Sequence, residues 1–188
     1  MNLESLSKTV SYALRHNPEQ FGLELDKQGW IYVDTLIVAL RKIEQFKSLS
    51  NDDIEKMIQA SEKKRHEIQD GKIRALYGHS IKEKIVRNAV KPPDILYHGT
   101  SRKFAERIMS TGLISKDRQY VHLSEDADKA LTIGKRRDEN PVIIEINAKK
   151  AWGEGVSFYY GNEDVWLSDD ISVKYLTRWQ HSATFGRK

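Results

Sequence analysis

The chain has 188 residues, 39% of them hydrophobic and 31% charged, with a formal net charge of +4 and no cysteine. This is the composition of a soluble globular protein of one or two small domains. It contains no apolar run of the about 18 residues a membrane span needs, and the lack of cysteine excludes disulfides, thiolate metal sites and a Cys nucleophile. The opening MNLESLSKTV lacks the basic and apolar regions of a secretory signal, so a cytoplasmic location is expected, and the basic balance is compatible with a polyanionic partner.

In chain order, Leu6, Val10 and Leu14 repeat at i, i+4, i+8 and predict a first helix that stops after Arg15, His16 and Asn17 at Pro18. Asp34 reads as the N-cap of a second helix carrying Leu36, Ile37, Leu40 and Ile43. Ser50 with Asp53 three residues on reads as a capping box opening a third helix, with Ile54, Met57 and Ile58 on its apolar face. Arg65 to Gln69 and Lys72 to Tyr77 flank Asp70-Gly71, a two-residue hairpin signal. Three helices and a hairpin resemble a winged helix. The polar stretch from Ser80 to Asp94, ending in Pro92-Pro93, reads as a linker, with the boundary near Val90. Beyond it, strands are expected at Ile95 to Tyr97, Val121 to Leu123, Val142 to Ile146 and Val165 to Leu167, with helices at Lys103 to Ser110 and Asp126 to Ile133. The expected class is α+β, with one domain over 1–90 and a second over 91–188.

A winged helix suggests DNA binding through its third helix, but here that helix begins Asn51-Asp52-Asp53-Ile54-Glu55, whose carboxylates would be repelled by phosphates. The cationic residues lie elsewhere. Arg15 and His16 end helix one, and Arg74 and His79 lie on and just after the second hairpin strand. Singly, each has a plain structural explanation: a cation at a helix C-terminus complements the dipole, and Arg74 could face solvent from a strand. The same holds for His98, by default a buried histidine with its bonds satisfied.

Taken together, the segments LRHNP (Leu14–Pro18) and KIRALYGHS (Lys72–Ser80), YHGT (Tyr97–Thr100) after a strand and before a helix, and DRQYVHLS (Asp117–Ser124) resemble, in order, the motifs of the RNA 2'-phosphotransferase family. The resemblance runs from Leu14 to about Leu176. It implies an N-terminal winged-helix lobe that binds RNA, an ADP-ribosyltransferase-like lobe that binds NAD, and an active site between them. The partner it implies is an RNA bearing a 2'-phosphate, a spliced tRNA foremost, with no obligate protein partner. NAD is consumed. The RNA phosphate displaces nicotinamide to give ADP-ribosylated RNA, and the phosphorus then passes to a ribose hydroxyl, releasing ADP-ribose 1''-2'' cyclic phosphate.

On this resemblance Arg15, Arg74 and Arg118 form the phosphate clamp, because a guanidinium fork binds phosphate oxygens in pairs. His16 is a further donor or a proton carrier. His98, Gly99, Thr100, His122 and Ser124 hold NAD. Val165 stands where ADP-ribosyltransferases carry a glutamate; an anionic phosphate nucleophile would be repelled by a carboxylate there. Glu163 and Asp164 are close enough in sequence that a contact to the ribose stays open. No metal site is expected, since the histidines do not fall at ligand spacing. Two alternatives remain: an ADP-ribosyltransferase capping terminal phosphates of RNA or DNA, and a non-catalytic reader of ADP-ribose or phosphorylated RNA.

Overall fold

The computed structural model describes residues 1–180; residues 181–188, the end of the expected second domain, lie outside the described residues. Contacts divide the chain into two units, one of Met1–Asn88 with Lys116–Gln119 and one of Ala89–Ser115 with the chain from Tyr120 onward.

In the first unit the Leu6, Val10 and Leu14 stripe, joined by Ala13, is the fully buried face of α1 (Leu3–Arg15). Asn2 caps its start by accepting from the Ser5 N–H, and at its end the N–H groups of His16 and Asn17 both donate to the Tyr12 carbonyl. The second helix, α2 (Val33–Leu40), begins one residue before the expected cap: Tyr32 is the N-cap, with no side-chain cap bond, and Asp34 lies in the first turn, where its charge still opposes the positive end of the helix. Ile43 falls beyond the end of α2 but packs on the same core. α3 (Asn51–Gln59) has the full capping box, the Ser50 hydroxyl accepting from the Asp53 N–H at 3.3 Å and the Asp53 carboxylate accepting from the Ser50 N–H at 3.0 Å.

The strands β1 (Ile31–Tyr32), β2 (His66–Gln69) and β3 (Lys72–Ala75) form an antiparallel sheet in the order β1-β3-β2. Asp70 and Gly71 both have positive φ, 50° and 72°, as the two central residues of a type I' hairpin turn require. Ile73 and Ala75 enter the core with Phe46, Leu49 and Ile54, so period two turns Lys72 and Arg74 to the other face.

The second unit holds two three-stranded antiparallel sheets. One, ordered β4-β6-β9, contains β4 (Ile95–Thr100), β6 (Val142–Asn147) and β9 (Leu176–Arg178); the other, ordered β5-β8-β7, contains β5 (Val121–Leu123), β7 (Phe158–Asn162) and β8 (Val165–Ser168). The helices are α4 (Arg102–Thr111), α5 (Ala127–Gly134) and α6 (Ala148–Gly153). A reciprocal pair of backbone bonds between Tyr97 and Ser124, 2.8 and 2.9 Å, ties the first sheet to the end of β5. Leu96, Ile144, Ile146, Phe158 and Ile171 lie in the core. The expected α+β class, with small antiparallel sheets, is the class observed.

Candidate functional site

The C-terminus of α1 gathers most of the cationic groups singled out in the sequence. Arg15 is buried, its Nη2 donating to the Arg65 carbonyl at 3.1 Å and its guanidinium lying over the Tyr77 ring at 5.1 Å. Its Nε is buried with no hydrogen-bond partner. Burial pushes Arg15 down to about 10; Tyr77 opposes this, and the neighbouring charges of Arg65 and Arg118 add to it. Arg15 therefore stays charged at neutral pH inside a group of like charges, an arrangement that favours a bound anion.

His16, the exposed C-cap of α1, is hydrogen-bonded through Nδ1 to the Ser80 hydroxyl at 2.8 Å. Burial, then Arg118 and Arg15, lower its pKa, which favours the neutral imidazole at pH 7. Ser80 is brought there by its backbone, whose N–H donates to the Arg15 carbonyl at 2.9 Å.

Arg118 donates through Nη1 to the Gly78 carbonyl. Gly78 has φ +89°, a backbone conformation that favours glycine, and a Cβ added there would lie 2.5 Å from Arg118 Nη1, so the guanidinium would have to shift from the Gly78 carbonyl. Gln119 anchors this segment, its amide donating to the carbonyls of Ile81 and Glu83 at 2.9 and 2.8 Å, its side-chain oxygen accepting from the Ile85 N–H at 2.9 Å, and its N–H donating to the His79 carbonyl at 3.2 Å. Thus Lys116–Gln119 belongs to the first unit although it lies within the expected second domain.

Arg74 is held differently. It pairs with Glu67 across the hairpin, and its guanidinium covers the Trp30 ring at 4.3 Å. Arg65, half-buried beside Arg15, is the arginine that joins the cluster; in the sequence it is only the last residue of Lys63-Lys64-Arg65, a run with no distinguishing signal. Gly78, Ser80 and Gln119 were missed as well; their signal is the tight sequence GHS and the polar residue beside Arg118. His79, grouped with the cations in the sequence, is corrected by the structure: it is 3% exposed, and burial, followed by Arg87, Arg15, His16 and Arg118, pushes it down to about 3, so it is neutral.

In the second unit His98 is half-buried on β4, its Nδ1 bonded to the His122 carbonyl at 3.0 Å. A carbonyl only accepts, so the proton sits on Nδ1 and Nε2 is an acceptor. Burial, opposed by that carbonyl and reinforced by Arg137, lowers the His98 pKa and keeps the ring neutral. His122 is oriented the same way, Nδ1 to the Tyr120 carbonyl at 3.0 Å. Thr100 and Ser124 are buried, Ser124 opposite Tyr97 in the backbone bridge.

Gly99 serves packing: a Cβ there would stand 1.8 Å from the Ala130 carbonyl oxygen, so α5 lies directly on β4. Val165 begins β8 after a bulge at Gly161. Asp164 is paired with Lys129, and Trp166 donates through Nε1 to Glu125. Among the described residues no group of three or more His, Cys, Asp and Glu side chains could hold a metal ion, and no helix is long and apolar enough to cross a membrane.

Residues 2–170 match the family model described as RNA 2'-phosphotransferase, Tpt1 / KptA family. The chain is 51% identical over 176 residues to a protein of Acetivibrio thermocellus named "Probable RNA 2'-phosphotransferase", covering 94% of this chain and 97% of the relative. A protein of the same printed name from Bacillus thuringiensis subsp. konkukian is 52% identical over 172 residues, 92% and 93% of the two chains. One from Archaeoglobus fulgidus, "Probable RNA 2'-phosphotransferase 1", is 35% identical over 176 residues, 94% and 81% of the two chains.

Proposed function

The chain belongs to the RNA 2'-phosphotransferase, Tpt1 / KptA family, and from that premise we propose that it removes an internal 2'-phosphate from RNA, a tRNA splice junction foremost, with NAD as consumed cosubstrate. The observation that carries the reading is buried Arg15, its Nε without a partner, among the charges of Arg65 and Arg118. A phosphomonoester with close to two negative charges supplies both the missing acceptor and the missing counter-charge. Arg15, Arg65 and Arg118 form the clamp on this reading. Arg74, given that role by the sequence, already has Glu67 and Trp30 as partners, so Arg65 is placed ahead of it. Neutral His16 beside the clamp suits either a donor to the phosphate or a proton carrier.

NAD fits the second unit's donors and acceptors. The His98 Nε2 acceptor suits a ribose hydroxyl, and the buried hydroxyls of Thr100 and Ser124 with the strand residues Gly99 and His122 complete the proposed set. Val165 puts no carboxylate against an anionic nucleophile. When bound, NAD supplies an electrophilic ribose carbon with nicotinamide as leaving group. Attack by the RNA phosphate gives ADP-ribosylated RNA, and transfer of the phosphorus to a ribose hydroxyl frees the RNA and yields ADP-ribose 1''-2'' cyclic phosphate. We place this reaction in the cytoplasm.

The test is incubation with a 2'-phosphorylated oligonucleotide and NAD, followed by identification of every product. Nicotinamide, 2'-hydroxyl RNA and the cyclic phosphate are expected. ADP-ribosylated RNA as the final product would instead make the protein a capping ADP-ribosyltransferase, and no nicotinamide release would make it a reader.

A further inference from the structure

Tyr12 lies one helical turn before His16 on α1, and its side chain is unusual for an aromatic on a helix with a fully buried apolar stripe: the residue is 43% exposed. It is nevertheless fixed. Its ring centroid is 6.1 Å from that of His16, the rings tilted by 42°, and Phe21 meets it nearly edge-on at 6.2 Å and 72°. The hydroxyl accepts from Asn17 Nδ2 at 3.5 Å, while Asn17 and Gln20 bond each other twice at 3.2 Å, amide to amide and backbone N–H to side-chain oxygen. Beneath the ring, the Tyr12 carbonyl takes the N–H groups of His16 and Asn17 at 3.0 and 3.1 Å. A half-exposed ring thus stands beside the end of α1, next to exposed His16 and one turn from buried Arg15.

We propose that Tyr12 is the floor of a base-stacking subsite, taking an unpaired nucleobase of the RNA within one nucleotide of the 2'-phosphate. The inference rests on the phosphate clamp proposed above. An anchored phosphate brings its neighbouring bases within reach of whatever flat surface adjoins the clamp, and a tyrosine face stacks any base, because every base has a π-face. Stacking is independent of base identity, so the subsite positions RNA without reading its sequence. Phe21 and Asn17 act as positioning residues that hold the ring in place before RNA arrives, which lowers the ordering cost of binding.

The experiment pairs Tyr12→Ala, Tyr12→Leu and Tyr12→Trp with 2'-phosphorylated oligonucleotides that are intact or abasic at the phosphorylated nucleotide or at either neighbour. Loss of one stacking contact corresponds to about 5- to 150-fold, and the loss is expected in KM for RNA with little change in kcat. Tyr12→Trp should restore KM. Tyr12→Leu, which keeps an apolar cover over Phe21, should lose as much as Tyr12→Ala, so a folding defect in the alanine variant does not decide the matter. On the RNA lacking the stacked base, wild type and the leucine variant should become equal. Equal KM values for wild type and Tyr12→Leu on intact RNA, or the same fold-loss on intact RNA and all three abasic RNAs, would overturn the subsite. The clamp is judged separately: an unmodified protein that does not consume 2'-phosphorylated RNA, or an Arg15→Ala variant that consumes it normally, removes the premise itself, whereas an active, Arg15-dependent enzyme without Tyr12–base coupling removes only the subsite.

Discussion

Arginine cost and arginine use separate the cations of the first unit. Arg15 is buried without a carboxylate among the groups that set its ionisation, while Arg74 is balanced by Glu67 and stacked on Trp30. If the clamp contains Arg65 rather than Arg74, Arg65→Ala lowers phosphate transfer by about 100- to 1000-fold, the usual loss for one donor to a developing oxyanion. Arg74→Ala costs less than tenfold on the same scale. Single-turnover assays of the two variants check this, and the reverse ranking restores Arg74 to the clamp. Within the clamp, Arg15→Ala should slow the second step more than the first. On the proposed mechanism the phosphate is the nucleophile in step one, where charge withdrawal also dulls it, and the electrophile in step two, where every aligned guanidinium stabilises the charge that builds. ADP-ribosylated RNA should then accumulate in a time course, and proportional loss of both steps with no intermediate would assign Arg15 to binding alone. Of the proposed clamp and its histidine, Arg15, His16 and Arg118 are legible in the sequence as separate motifs, since each sits in a distinctive string. The sequence could not show Arg65, because a cation in a charge run is set apart only by what lies across the fold from it, and α1 is fifty positions away.

Glycine positions show how whole elements are placed. Gly99 lets the backbone of α5 rest on β4, and its substitution brings Cβ within 1.8 Å of a main-chain oxygen that no side-chain rotation can move. Gly99→Ala therefore displaces α5 from the strand carrying His98 and Thr100, and a cost of at least about 3 kcal/mol is expected, the upper range for overpacking. Urea unfolding of the variant measures it, and a midpoint unchanged from wild type would mean that the Ala130 carbonyl does not rest against Gly99. Elements with strong local signals were legible: the capping box of α3 and the Asp-Gly turn of the hairpin are chemical requirements written within four residues. The elements not foreseen had no such signal. α6 has six residues, too few for helical periodicity, and β7 and β9 are short strands whose pairing partners, not their own patterns, make them strands.

At the scale of the whole molecule the chain does not divide at a single cut. Lys116–Gln119 returns to the first unit, and this excursion delivers Arg118 to Gly78, a feature no linker composition announces. The same first unit also carries a pH liability. His66 and His79 are both pushed down to about 3, in each case chiefly by burial and then by neighbouring basic groups, Arg15 and Arg65 for His66 and Arg87, Arg15, His16 and Arg118 for His79. His66 bonds the Ser11 hydroxyl through Nε2 at 3.1 Å, His79 Nε2 is buried without a partner, and no carboxylate is among the groups that shift either ring. Once unfolded, both rings titrate near the ordinary value of about 6.5. Between about 6.5 and 3 the unfolded chain therefore binds more protons than the native one, and stability rises with pH across that window. It is complete above the unfolded value and is lost as pH falls. Each histidine contributes a slope approaching about 1.4 kcal/mol per pH unit, so the two together should remove roughly 3 kcal/mol per unit well below pH 6.5. The lowered values of His16 and His98 act in the same direction. Urea unfolding at pH 7.5, 6.0 and 5.0, followed by circular dichroism, should show a flat upper limb and a steep lower one, and His66→Asn should reduce the lower slope by about one proton's worth whatever it does to stability at pH 7.5. An unchanged slope in that variant would mean that His66 is already protonated in the native state.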